Sequence, residues 1–192
     1  MLSEQIIERL SNIVGAERLL LDSDDLQRFG VDRTTIWQPN PCAVVLPGSI
    51  EEVQGVVRLA NEFNLAIVPS GGRTGLSGGA VAKDGEIVVA MDRLNQVLDF
   101  NPLDRTVTLG AGVITANLQN FAAEQGLFYP VDFASSGSSQ IGGNIATNAG
   151  GINVIRYGMT RNWVMGLKVV NGADDILDLN KGLVKNNTGY DF

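Results

Sequence analysis

The sequence predicts an α+β chain of two α/β lobes, a small parallel βαβ lobe followed by a larger, mainly antiparallel sheet lobe with helices. The runs Ala43-Val44-Val45-Leu46 and Leu65-Ala66-Ile67-Val68 flank a helix signal, which gives strand, helix, strand. From Glu86 onward the apolar runs are short and one pair is joined by a turn sequence, as in hairpins. Two glycine-dense stretches, Pro69 to Gly79 and Ser135 to Gly158, interrupt the regular pattern.

Residues Leu2 to Val14 place Leu2, Ile6, Leu10 and Ile13 on one side of an amphipathic helix. Asp22 or Ser23 can cap a short helix in the polar segment that follows. Pro39 and Pro41 break the chain before the strand at Ala43, so residues 1–38 form a helical lead-in and 39–192 the main domain. Ser49-Ile50-Glu51-Glu52 fits a capping box opening a helix to about Phe63. The strand ending near Val68 then runs into the first glycine loop. Parallel pairing places that loop at a strand's carboxyl end, where α/β sheets bind ligands. Ile87-Val88-Val89-Ala90, Val97 to Phe100 and Thr106 to Leu109 read as strands of the antiparallel portion, with Asn101-Pro102-Leu103-Asp104 as a turn. A helix follows from about Thr115 to Gln125, stopped by Gly126, and a last strand spans Val164 to Val170.

At 192 residues, with 44% hydrophobic and 18% charged content, the chain can bury a substantial core. Its net charge of -7 offers no basic stripe, which argues against nucleic acid as a partner. An anionic ligand would have to be held by local backbone dipoles, because the overall field repels it. One cysteine, Cys42, precludes an internal disulfide, reads as an inert core thiol and fits a reducing, cytoplasmic setting. The amino terminus lacks the basic start and apolar run of a signal peptide, and no stretch is long enough to span a bilayer. Histidine is absent, so proton or hydride chemistry would need a less usual base.

The first glycine loop reads Pro69-Ser70-Gly71-Gly72-Arg73-Thr74-Gly75-Leu76-Ser77-Gly78-Gly79. Such glycine density suits a backbone that turns repeatedly or is closely approached, at roughly 0.5–1 kcal/mol per glycine. Inward-turned backbone N–H groups make an anion-holding concavity. Arg73 adds the loop's one full positive charge, and Thr74 and Ser77 add hydroxyls. The pattern is that of a phosphate cradle. The second stretch, within Pro130 to Gly151, is small, hydroxyl-rich and weakly charged, which lets an extended ligand lie close to the backbone. The same composition also suits tight packing, with Gly142-Gly143 as a crowded turn.

These two stretches, together with Ala43-Val44-Val45-Leu46-Pro47, Glu51-Glu52-Val53, Ile141-Gly142-Gly143-Asn144, Thr147-Asn148-Ala149-Gly150-Gly151, Arg156-Tyr157-Gly158 and Asn187-Thr188-Gly189-Tyr190-Asp191, resemble the PCMH-type FAD-binding domain of the vanillyl-alcohol oxidase superfamily. Within it, the chain is most similar to FAD-linked D-2-hydroxyacid dehydrogenases: the D-2-hydroxyglutarate and D-lactate dehydrogenases and the glycolate oxidase flavin subunit. The resemblance implies that backbone amides from Ser70 through Gly71, Gly72, Arg73, Thr74, Gly75, Leu76 and Ser77 hold the FAD diphosphate. It implies that Pro130, Val131, Ser138, Gly142, Gly143, Asn144, Thr147, Asn148 and Gly151 line the rest of the cofactor. Members that attach FAD covalently often carry histidine at or beside the position of Thr74, so here FAD is expected to be non-covalent.

The resemblance further implies that the main domain is cut short at its carboxyl end. The rest of the flavin site and a cap domain, with catalytic histidines and often a metal site, would follow Phe192. No catalytic or metal-binding residue is therefore assigned here. The complete enzyme would oxidise a small 2-hydroxy acid by hydride transfer to FAD and pass electrons to a second acceptor. The 192 residues alone are expected to be inactive, and homodimer formation stays open. Two other readings compete. Gly110-Ala111-Gly112 after a strand, with Asp132 downstream, imitates an NAD-binding fingerprint, but its third glycine position is Thr115. A non-catalytic flavin-binding module is the other. Tyr157, Tyr190 and Trp163 read as packing anchors, Asp22, Asp24 and Asp25 as a solvated helix start, and Lys181 and Lys185 as surface charges.

Overall fold

A computed structural model describes residues 2–179. Its first lobe is built on a four-stranded sheet. The strands are β1 (Leu19–Leu20), β2 (Ala43–Val45), β3 (Ile67–Ser70) and β4 (Ile87–Ala90), in the order β1-β2-β4-β3. β2, β4 and β3 run parallel, and β1 pairs antiparallel with β2. Helices α1 (Glu4–Val14), α2 (Ser23–Phe29) and α3 (Ile50–Phe63) cover the faces.

One expectation is corrected here. Ile87–Ala90 does not belong to the antiparallel portion; it is the central strand of the parallel sheet, inserted between β2 and β3. All four of its residues are buried, and they alternate between two cores. Ile87 and Val89 face α1 and α3 beside Leu10, Val56 and Leu59, whereas Val88 and Ala90 face Phe29 of α2. A continuous apolar run is what a strand covered on both faces requires. Each side chain of this size contributes about 1.5–3 kcal/mol when fully buried.

The helix starts follow local chemistry. Ser3 caps α1, and the Asp22 carboxylate accepts from the Asp24 and Asp25 N–H groups at 3.1 and 3.0 Å. Ser49 Oγ accepts from the Glu52 N–H at 3.2 Å, but the return bond is shifted by one residue: Glu52 accepts from Gly48 at 2.7 Å. Arg93 donates to the Leu46 carbonyl at 2.8 Å and lies 3.5 Å from the same Glu52 carboxylate. Asn64, at φ 51°, closes α3 in the left-handed region. Cys42 is half-buried against the α1–α3 core, and burial pushes its thiol pKa up.

The second lobe holds the antiparallel pair β5 (Val97–Asn101) with β6 (Thr106–Leu109). A further antiparallel pair, β7 (Leu167–Val170) with β8 (Ile176–Leu179), packs on α3 of the first lobe, where Gln54, Arg58 and Asn61 bond its turn. The sequence reading lacked β8 and began β7 three residues early. In the first turn Asn101 Oδ1 accepts from Leu103 and Asp104, as its composition suggested. Helix α4 (Thr115–Glu124) is followed by Gly126 at φ 68°. Short helices α5 (Ile141–Ala146) and α6 (Val154–Tyr157) lie within the second glycine stretch. Val113, Leu118 and Ile141 form the lobe's own core.

The lead-in is woven into the first lobe. Ile6, Leu10 and Val14 of α1 fill the core, and the Gly30 carbonyl accepts from the Ala82 N–H at 3.0 Å. Among the described residues no helix is long and apolar enough to cross a membrane.

Candidate functional site

The two glycine stretches meet. Gly72 lies so close to the second stretch that a Cβ there would sit 2.1 Å from the Ser138 carbonyl oxygen. A Cβ on Gly71 would lie 3.4 Å from Gln140 Oε1 and 4.0 Å from the Gly143 Cα. A side chain at position 72 would bar this approach, whereas a Cβ at position 71 would make ordinary contact. The junction between the lobes is thus made by backbone against backbone.

Loop 70–78 leaves β3 at its carboxyl end with Ser70 fully buried. Among the described residues, no backbone N–H from Gly71 to Ser77 has a hydrogen-bond partner within the protein. These half-buried to exposed amides are left for water or for an acceptor from outside, and a run of seven of them can line an anion-holding concavity.

The loop is held by other means. The Asp32 carboxylate, itself buried, accepts from the Gly78 N–H at 2.9 Å and the Thr34 N–H at 2.8 Å. The Arg33 N–H donates to the Gly75 carbonyl at 2.9 Å. The Trp37 ring packs on Gly78, where φ is 78° and a Cβ would lie 2.2 Å from the ring. The sequence reading missed Asp32 and Trp37, since nothing local distinguishes them from other residues of a polar segment.

Arg73 behaves differently from its sequence reading. Its guanidinium makes two bonds to the Asp92 carboxylate, at 3.1 and 2.9 Å, and lies 4.8 Å above the Phe29 ring. The charge is therefore engaged inside the protein, and the residue offers the cradle its backbone N–H. Its φ of 58° is a strained position for a side-chain-bearing residue, fixed by those contacts.

The second stretch uses most of its polar groups internally. The N–H groups of Ser136, Ser138, Ser139, Ile141, Gly142 and Asn144 all donate to backbone carbonyls. Asn144 Nδ2 donates to Thr115 Oγ1 at 2.6 Å, and that hydroxyl lies 2.8 Å from Ser139 Oγ, a buried network tying α5 to α4. Gly142 is packed on Ala111, whose Cβ would lie 2.8 Å from a new methyl, so the crowded-turn reading holds at this position. Gly143 is open, with nothing within 4 Å of a Cβ built there.

Val131 is buried, with its carbonyl taken by Gln119 at 3.0 Å, and Pro130 accepts from Asn153 at 3.1 Å. Gly151, at φ 111°, backs onto the Asp132 carbonyl. Thr147 Oγ1 donates to the Gly143 carbonyl at 3.0 Å. Asn148, at φ 48°, accepts from the Arg161 N–H at 3.0 Å. Loop 70–77, Ser138 and Gly143 thus converge directly, whereas Pro130, Val131 and Gly151 form a neighbouring group joined to them through α5. Tyr157 and Trp163 pack edge-to-face on Phe128 and Tyr129. Tyr190, Lys181, Lys185 and the 187–191 motif lie outside the described residues.

The NAD-type fingerprint is excluded by geometry. The strand before Gly110 is one half of a hairpin, and Cβ atoms at Gly110 and Gly112 would strike the Leu94 and Met91 carbonyls at 2.1 and 1.9 Å. Those glycines exist for chain packing.

A family model described as an FAD binding domain matches residues 41–180. D-2-hydroxyglutarate dehydrogenases of Stutzerimonas stutzeri and Xanthomonas citri are 59% and 61% identical over 97% and 95% of the chain, which covers 40% and 39% of their lengths. The bovine mitochondrial D-2-hydroxyglutarate dehydrogenase is 36% identical over 99% of the chain and 35% of its own length. The chain therefore spans about two fifths of the curated relatives it matches. Among solved structures, an alkyldihydroxyacetonephosphate synthase superposes with a TM-score of 0.87 at 23% identity over 97% of the chain and 37% of its own. A p-cresol methylhydroxylase with substrate bound gives 0.79 at 22% identity over 96% and 36%. At these identities the structures show the fold, which is the one the sequence resemblance implied.

Proposed function

The chain belongs to the family of FAD-binding domains, and from that premise we propose that it is the cofactor-holding part of an enzyme oxidising a D-2-hydroxy acid, of the 2-hydroxyglutarate, lactate or glycolate type, to the 2-oxo acid. The observation that carries this reading is the run of unpaired amides from Gly71 to Ser77, closed by Gly72 against Ser138, in a chain 59% identical to a D-2-hydroxyglutarate dehydrogenase.

FAD fits the residues present. The amides from Gly71 to Ser77 would hold its diphosphate, with Ser70 buried beneath them as the last residue of β3, and each such charge-assisted bond contributes about 1.5–3 kcal/mol. Ser138, Gly143 and Thr147 present the open side of the second stretch. Val131, Gly142 and Asn144 fix the backbone behind it, and Pro130, Asn148 and Gly151 extend the surface. When bound, FAD supplies a hydride acceptor for an alcohol carbon beside a carboxylate. The chain's own residues bind and orient it; the described site offers no proton-transferring side chain, so acid–base groups belong to the remainder of the enzyme. Thr74 and its neighbours include no histidine, so attachment at that position is unavailable and FAD is read as non-covalent.

Residues 39–192 are the FAD-binding unit in this reading and residues 1–38 its lead-in, with Asp32 and Trp37 giving the lead-in its role. The partners are the hydroxy acid and a separate electron acceptor. A cytoplasmic setting is supported by the single, half-buried thiol of Cys42. The test is an absorbance spectrum of the protein as its gene encodes it. Flavin bands that bleach anaerobically on adding D-2-hydroxyglutarate, D-lactate or glycolate support the reading. Bleaching by NADH alone, without response to any hydroxy acid, overturns it.

A further inference from the structure

Gln140 sits where the two glycine stretches meet, and it is 94% buried, since 6% of its surface is exposed. Among the described residues its Oε1 has no hydrogen-bond partner. Arg18 Nε shares that condition among the described residues, but it lies beside Glu17, at 3.6 Å. Gln140 Oε1 has no such neighbour. It faces Gly71, near enough that a methyl group there would touch it, and the Gly143 Cα borders the same spot. A buried acceptor left unsatisfied lowers stability, and such groups persist where an outside donor completes them.

We propose that Gln140 is a cofactor-contacting residue whose Oε1 accepts a hydrogen bond from a hydroxyl of the ribityl chain, next to the diphosphate. The assignment rests on the FAD reading given above and deepens it. A diphosphate has no donor at neutral pH, so the unpaired amides of 71–77 suit it and Gln140 Oε1 does not. Hydroxyl donors adjoin the diphosphate on both sides, in the ribityl chain and in the adenosine ribose. Gln140 is assigned to the ribityl side, and ADP, which keeps the ribose, tests that side against the other. The approach of the ribityl chain lies between Gly71 and Gly143, where neither residue carries a Cβ. An apolar side chain of equal size would pack better in the empty protein and serve the ligand worse.

The test uses Gln140→Met in the protein as its gene encodes it, with FAD and ADP as probes. ADP shares the diphosphate and adenosine but lacks the ribityl chain. The expected result is an FAD dissociation constant raised by about tenfold, an unchanged ADP constant, and an apoprotein melting temperature raised by roughly 2–4 °C. Equal affinity for FAD in both proteins overturns the proposal. So does an equal loss for FAD and ADP, which places the donor in the adenosine half or makes Gln140 structural, or a lowered apoprotein melting temperature, which marks it as structural. Gln140→Ala carries the same FAD-against-ADP comparison should the methionine variant fail to fold. A wild-type protein that binds ADP but not FAD overturns the underlying flavin reading instead, and Gln140 with it.

Discussion

The two glycine-rich stretches look alike in composition and differ in what their backbones do. From Gly71 to Ser77 the amides have no partner among the described residues, and the loop is held by outside groups: Asp32, Arg33 and Trp37. From Ser136 to Asn144 most amides are bonded to carbonyls, and a buried Thr115–Ser139–Asn144 network stiffens the segment. One stretch offers donors and the other offers a close, rigid wall. Glycine content signals close approach in both, but only the hydrogen-bond accounting tells which approach is to a ligand and which is to another chain segment.

The sharpest way to break that contrast is at Gly72. A methyl there meets Ser138 and Ser139 backbone, which cannot retreat as a side chain could. Gly72→Ala is expected to cost about 3 kcal/mol in chemical denaturation and to abolish FAD retention on gel filtration. Near-wild-type stability would mean that the two stretches are not in contact.

Asp32→Ala removes the buried acceptor for the Gly78 amide of the loop and the Thr34 amide of the lead-in, at an expected cost of about 2 kcal/mol. FAD affinity should fall with it, because the donors lose their common orientation; isothermal titration reads the affinity and urea unfolding the stability. A stable variant with intact FAD binding would show that the loop holds its shape without the lead-in.

Arg73→Ala separates charge from backbone. Loss of the half-buried pair with Asp92 is expected to cost about 1 kcal/mol. FAD affinity should change by less than about threefold, with its dependence on salt unaltered. A large loss confined to low salt would return the guanidinium to the phosphates.

Gly143→Ala isolates ligand approach from packing. The position is open and lies in α5, so the apoprotein is expected to stay at wild-type stability or gain up to about 1 kcal/mol. FAD affinity should nonetheless fall about tenfold, as the methyl occupies the approach. Unchanged affinity would move the cofactor away from this face.

Much of the fold was legible locally. Capping at Asp22 and Ser49, the turn at Asn101 and the stop at Gly126 depend on neighbours a few residues away, so sequence alone carries them. The placement of Ile87–Ala90 was not legible as it was read, because pairing partners 20 to 44 positions distant decide it. The signal was present, though: four consecutive apolar residues suit a strand covered on both faces better than one edge of a hairpin. The cradle's existence was legible in its glycines. Which of them face ligand and which face protein was not, because Gly142 and Gly143 are neighbours with opposite surroundings.

By itself the sequence determined the α+β class, the caps and turns, the cradle loop and, through its motifs, the flavin family. Those properties rest on backbone preferences and short-range hydrogen bonds that travel with the residues. Tertiary structure alone decided that Arg73 is held by Asp92, that Asp32 and Trp37 support the loop, and that Gln140 is enclosed with one polar atom unmatched. Each of these depends on groups brought together from distant parts of the chain, and burial is what gives an unpaired charge or amide its energetic consequence.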